Sequence, residues 1–220
     1  MMTGLSDYAD PVELHPDLKR YLFRMDNGWT VLQHPLVYRV PYHGDQYEAH
    51  QANSMYEFKR KAMEEAIATN DFNRMVAMYE RPWRIEVIKR YRKKIPADKY
   101  PEIVRDVWTD SENIYQNFGL WRMILKPFIG KDVFQTLSEL PDEITVYRGG
   151  SPDGFSWTLK KETAEWFSRR FRSEDDYLPV WEITIPKSKA IAYFTDRSEE
   201  EILWIPKQVD IDRMNHINLI

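Results

Sequence analysis

Three short stretches in the last third of the chain hold the residues best suited to chemistry. Arg148 closes Val146-Tyr147-Arg148-Gly149, Ser156 and Thr158 lie in Gly154-Phe155-Ser156-Trp157-Thr158, and Glu199-Glu200-Glu201 opens Ile202-Leu203-Trp204. Arginine presents a planar, permanently charged fork that matches phosphate oxygens in pairs. Carboxylates stabilise developing positive charge or take up a proton. On strands, alternation puts Glu199 and Glu201 on one face and Ser156 with Thr158, while Glu200 points away. Taken singly, each stretch is commonplace, and an acidic triplet is also what a solvated turn beside an edge strand contains. Their order, with a helix after Thr158, makes them a constellation.

Such residues need a frame. After Pro141 the runs EITVYR, PVWEITI, AIAYF and EILWI are short, β-branched and aromatic, and they predict strands; VDID and HINLI add edge strands. The amphipathic segment ETAEWFSRRF predicts one helix, with Ala164, Phe167 and Phe171 on a common face. From about Tyr47 to Leu140 the apolar residues recur at helical spacing and prolines punctuate them. Met55, Phe58, Ala62, Met63 and Ala66 form one stripe, and Asp71 is placed to N-cap a second helix through Met75 and Met78. Pro82 and Pro101 open two more, the first with Trp83, Val87, Ile88 and Tyr91, the second with Ile103, Val104, Val107 and Trp108. Ile114, Phe118, Trp121, Leu125 and Phe128 supply a further stripe, and a last short helix is expected over Val133, Phe134 and Leu137.

In this order the three stretches resemble the arginine, the Ser-x-Ser/Thr strand and the Glu-x-Glu strand of mono-ADP-ribosyltransferases of the Arg–Ser–Glu type. The helix with Ala164 and Phe167 is similar as well, and the whole chain resembles transferase-like phage proteins with a helical N-terminal region. The resemblance implies an α+β fold: a mainly helical region, residues 1–140, and a compact split β-sheet ADP-ribosyltransferase-like domain, residues 141–220. It implies NAD⁺ as co-substrate, no metal, and transfer of ADP-ribose to a target protein of the host cell, in whose cytoplasm the chain would act. Glu201 becomes the carboxylate that stabilises an oxocarbenium-like ribose and accepts a ribose hydroxyl, with Ser156 holding it from the next strand. By the same token Arg148 grips the dinucleotide phosphates, Gly149 lets backbone approach the nicotinamide amide, and Thr158 is a supporting hydroxyl. Glu199 favours an arginine acceptor, and Phe194 and Arg197 in the preceding loop become candidates for touching the target. A NAD⁺ glycohydrolase, a transferase acting on nucleic acid, and an idle binding module of the same fold all stay open. The interval between Arg148 and Ser156 is short, so the first crossover should be a loop; Trp157 and Phe167 can stack on nicotinamide, though core packing is the commoner use of such residues.

Other features bound the reading. The 220 residues include 8 Trp, 13 Tyr and 10 Phe, the composition of a folded protein. Cysteine is absent, which excludes disulfides, thiolate metal sites and a thiol nucleophile. The N-terminus carries no basic, apolar leader and no run is long enough to span a bilayer, so a cytoplasmic location without membrane contact is expected. Net charge is −4, and the acidic excess lies wholly after Leu140, which argues against a duplex-binding surface there. The run from Lys89 to Lys94 can contact phosphates or serve as a solvated helix face. His43 and His50 would share a face on a helix, yet without further ligands they make a poor metal site. Trp83, Trp108 and Trp121 are expected in the core. No P-loop, dinucleotide fingerprint or nucleophile elbow is present.

Overall fold

The computed structural model describes residues 12–111, 113–170, 177–195 and 199–217. The chain divides into two compact units, Met1–Asn117 and Phe118–Ile220, so the second unit begins before the change of texture at Pro141. Helices and antiparallel sheets share the chain, as an α+β protein requires.

Among the described residues, helix α1 (Pro16–Lys19) comes first in the first unit, before a three-stranded meander, β1 (Leu22–Arg24), β2 (Thr30–His34) and β3 (Val37–Arg39). This sheet lies within the region expected to be mainly helical. Asp26-Asn27-Gly28 forms the β1–β2 turn, with Gly28 at φ 85°, a conformation that costs glycine little. Four helices follow: α2 (Gln46–Ala68), α3 (Phe72–Met78), α4 (Arg81–Tyr91) and α5 (Tyr100–Thr109). Asp45 caps α2 by accepting from Glu48 N at 2.7 Å, and Asp71 caps α3 from Arg74 N at 3.0 Å. Pro82 and Pro101 stand in the first turns of α4 and α5, where no amide hydrogen is needed.

The stripe expected on α2 is turned. Ala49, Ala52, Tyr56, Ala62 and Ala66 are buried, and Tyr56 packs with Leu14, Leu18, Leu32 and Val37, whereas Met55 and Phe58 face solvent, 47% and 64% exposed. Alanines allow close approach on the inner side, and the larger apolar residues are left outside. His43 precedes α2, so it does not share a helical face with His50.

The second unit starts with α6 (Phe118–Leu125) and a 3-10 turn, Lys126–Phe128. The helix expected around Val133–Leu137 is absent. Asp132 and Gln135 adopt φ of 41° and 55°, which break helical geometry, and the Asp132 carboxylate accepts from Thr136 N and Leu137 N at 3.0 and 3.1 Å. The strands β4 (Glu143–Gly149), β5 (Ser156–Thr158), β6 (Val180–Pro186), β7 (Ala192–Phe194), β8 (Glu201–Leu203) and β9 (Asn215–Ile217) form one antiparallel sheet in the order β7-β8-β5-β4-β6-β9. Helix α7 (Lys161–Arg169) follows β5. VDID is not an edge strand but lies mostly in α8 (Gln208–Ile211), whose start is held by Asp210 accepting from Lys207 N at 3.0 Å.

Strand β4 pairs with β6 along its whole length, from Glu143↔Pro186 to Gly149↔Val180, but with β5 only at Tyr147↔Thr158. The sheet is thus two halves joined at one residue pair. Ile144, Val146, Trp157, Ile183, Ile185, Ile202 and Trp204 pack with Leu137 and Leu140 in one cluster. The close approach of α7 to β4 requires Gly149: a Cβ there would lie 2.2 Å from the Ala164 carbonyl oxygen and 2.6 Å from Ser168 N.

Candidate functional site

Strand register brings the hydroxyl and acidic stretches together. Thr158 on β5 pairs directly with Glu201 on β8, and Ser156 pairs with Leu203, one step along. Directly paired residues project to the same side of an antiparallel sheet. The row extends in both directions, through Tyr147 to Glu182 and Asn215, and on the other flank to Phe194. Ser156 and Glu201 are both half-buried, and Thr158 is buried. Helix α7 covers this side at Gly149, while Thr145 and Thr184, hydroxyl to hydroxyl at 2.9 Å, leave the other end open to water.

Thr158 has a defined task at the mouth of β8. Its hydroxyl donates to the Glu199 carbonyl at 2.6 Å and accepts from Lys160 N at 3.0 Å. The chain turns there: Glu200 has φ 47°, its carbonyl accepts from Leu159 N at 3.1 Å, and its carboxylate meets Lys160 Nζ at 2.9 Å. That turn interrupts the alternation expected to place Glu199 and Glu201 on one face, since β8 begins only at Glu201. Glu200 is a surface ion pair, in keeping with the solvated-turn reading.

Arg148 falls on the other side of β4 by alternation, the side of Ile144 and Val146. Its guanidinium folds back over the 150–155 loop, donating from Nε to the Ser151 carbonyl at 2.7 Å and from Nη1 to the Ser156 carbonyl. Gly154 makes room: a Cβ there would fall 2.1 Å from Nη2. The structure therefore joins Arg148 to Ser156 through the backbone, and Thr158 to Glu201 across strands. The connection between these two stretches is a loop, as its length predicts.

Two residues that the motifs did not single out complete the row. The Tyr147 hydroxyl donates to Glu182, and burial, aided by the negative charges of Glu182 and Glu162, pushes the phenol's pKa up. A lone glutamate inside the apolar run PVWEITI was the signal in the sequence, and the register shows what it faces.

The aromatic candidates divide. Trp157 is core, 1% exposed, packed on Trp204 and donating to the Gly154 carbonyl at 2.8 Å. Phe167 is half-buried beside exposed Trp166, and Arg170 lies over both rings. Phe194 is not presented to a target: it is 5% exposed and edge-on to Phe134. Arg197 lies outside the described residues. Trp108 and Trp121 are buried and Trp83 half-buried. In the basic run, Arg92 stacks 3.6 Å over the Tyr100 ring and Lys94 lies 5.7 Å from that of Tyr91. Among the described residues no cluster of three His, Asp or Glu could hold a metal ion, and no helix is long and apolar enough to cross a membrane.

Comparison with protein-family models, with curated proteins and with solved structures finds no match to this chain.

Proposed function

We propose that the chain is a NAD⁺-dependent mono-ADP-ribosyltransferase whose reacting carboxylate is Glu201 and whose acceptor is a protein side chain, arginine first. The register that sets Ser156 and Thr158 beside half-buried Glu201, with α7 flanking that side of the sheet, carries the reading. Breaking the bond between ribose C1′ and the nicotinamide nitrogen sends the electron pair to nicotinamide and leaves positive charge on the sugar. Glu201 stabilises that charge, and the partial enclosure strengthens its effect. Thr158 fixes the entry to β8 and so the position of Glu201; Ser156 stands diagonally across from it. Arg148 leaves β4 on the side opposite Glu201, but its guanidinium folds back onto the Ser151 and Ser156 carbonyls, and there it supplies positive charge for the pyrophosphate; Gly149 serves the packing of α7. Glu199 precedes the turn and shares no strand face with Glu201, so the role proposed for it, taking the proton from an attacking guanidinium, rests on its nearness in the chain alone.

The test is incubation with labelled NAD⁺ and a cell lysate, comparing the wild type with Glu201→Gln. Removing the charge should lower labelling by about 100-fold or more while leaving the circular dichroism spectrum unchanged. Equal labelling from both proteins would remove Glu201 from the mechanism. Nicotinamide release that is independent of any protein fraction would make the chain a NAD⁺ glycohydrolase, with water as acceptor.

A further inference from the structure

The outer face of α2 and the edge of β3 that faces away from β2 form a groove of about 680 Å³, a volume ordinary for a ligand site. Tyr38 and Arg39 stand on the strand side; His50, Gln51, Met55 and Phe58 stand on the helix side. Tyr38, Met55 and Phe58 are 51%, 47% and 64% exposed. Solvent-facing apolar side chains gathered along a concavity, with Val37 and Ala52 of the unit's buried cluster at its floor, are what a binding surface looks like.

The backbone of β3 says what shape fits there. A two-residue turn, Pro35-Leu36, joins β2 to β3, so His34↔Val37 is a hydrogen-bonded pair and Gln33↔Tyr38 is not. Gln33 N accordingly points away from β3 and donates to the Tyr21 carbonyl at 2.9 Å. By the same alternation the amide and carbonyl of Tyr38 point to the open edge, and no other described residue takes them. An extended chain satisfies both at once; a helix, whose own backbone is paired, satisfies neither.

Charge narrows the occupant further. The lining includes Arg39 and no carboxylate. The guanidinium is held in the wall by Gln51 Oε1 at 2.8 Å and by Glu48, 3.7 Å from Nε, whose carboxylate is itself engaged with the His43 and Gly44 amides.

We propose that this groove binds an extended peptide of another protein, which pairs with Tyr38 as an added strand, seats a large apolar side chain against Met55 and Phe58, and sets an acidic side chain near Arg39. The proposal does not depend on the chemistry assigned to Glu201.

The experiment is selection of a displayed random-peptide library on the full chain, followed by fluorescence anisotropy with the labelled consensus peptide. Selected sequences should carry an acidic residue close to a large apolar one. Methylating the peptide amide that faces the Tyr38 carbonyl should weaken binding about tenfold or more, and Phe58→Asp, on an exposed position, should do the same without changing the circular dichroism spectrum. Trp166→Ala, an exposed aromatic in the other unit, should leave binding as it was. The proposal is overturned by a consensus peptide that binds as a helix and ignores amide methylation, by the absence of any selected sequence, or by retained affinity in Phe58→Asp. It is equally overturned if the groove is filled by a second copy of the chain, seen in sedimentation as a dimer that Phe58→Asp dissolves.

Discussion

At the scale of residues, two glycines separate packing from chemistry. Gly149 and Gly154 sit at either end of the same loop, and each leaves space for a neighbour, but the neighbours differ. At Gly149 the neighbour is backbone of α7, which cannot yield, so Gly149→Ala should destabilise the protein by about 1–3 kcal/mol, read as a lower midpoint in thermal unfolding. At Gly154 the neighbour is the end of the Arg148 side chain, which can move. Gly154→Ala should cost little stability, yet it displaces the guanidinium from the Ser156 carbonyl; NAD⁺ turnover should fall mainly through a higher KM. Matched losses of stability in the two variants would mean that Arg148 is structural only. Tyr147 and Glu182 belong to this scale too, because a strand glutamate bonded to a phenol lies in the same cross-strand row as Glu201.

At the scale of elements, the β2–β3 hairpin carries a buried titratable group. His34 is 9% exposed, accepts from Leu36 N through Nδ1 at 3.0 Å, and is edge-on to the rings of Tyr21 and Tyr56. Burial lowers its pKa, with His15 adding to the effect and Asp17 opposing it. A histidine kept neutral by folding binds fewer protons folded than unfolded, so stability is fully present above its ordinary pKa of about 6.5 and declines as pH falls from there through the folded value. Asparagine keeps an acceptor near Leu36 N and does not titrate. His34→Asn should therefore flatten the pH dependence of denaturant unfolding between about pH 7 and 5, and an unchanged profile would exclude His34 as its source. Helix α2 teaches a different lesson, since its periodicity is real but the buried stripe is the one made of alanines and Tyr56. Apolar spacing marks a face without saying which of two apolar faces a neighbour will cover.

At the scale of the whole molecule, the chain is two compact units, each with its own buried cluster, and every residue proposed for NAD⁺ chemistry lies in the second. A fragment of residues 118–220 should accordingly unfold cooperatively and release nicotinamide from NAD⁺ by itself. Loss of near-ultraviolet dichroism in the fragment would show that its core needs the rest of the chain. The sequence by itself determined the mixed fold, the helix caps at Asp71 and the two prolines, most strands after Pro141, and the helix that follows Thr158. Local signals carry these, since caps, prolines and β-branched runs act through neighbours in the chain. It missed the meander of the first unit, although Asn27-Gly28 marked a turn, because its three short strands gain their stability only by pairing. The tertiary structure alone decided the rest. Cross-strand register chose Thr158 as the direct partner of Glu201, the turn at Glu200 removed Glu199 from the strand, and the loop fold-back took Arg148 to the Ser156 carbonyl. Register and loop path depend on which distant segments meet, and composition and periodicity do not encode that.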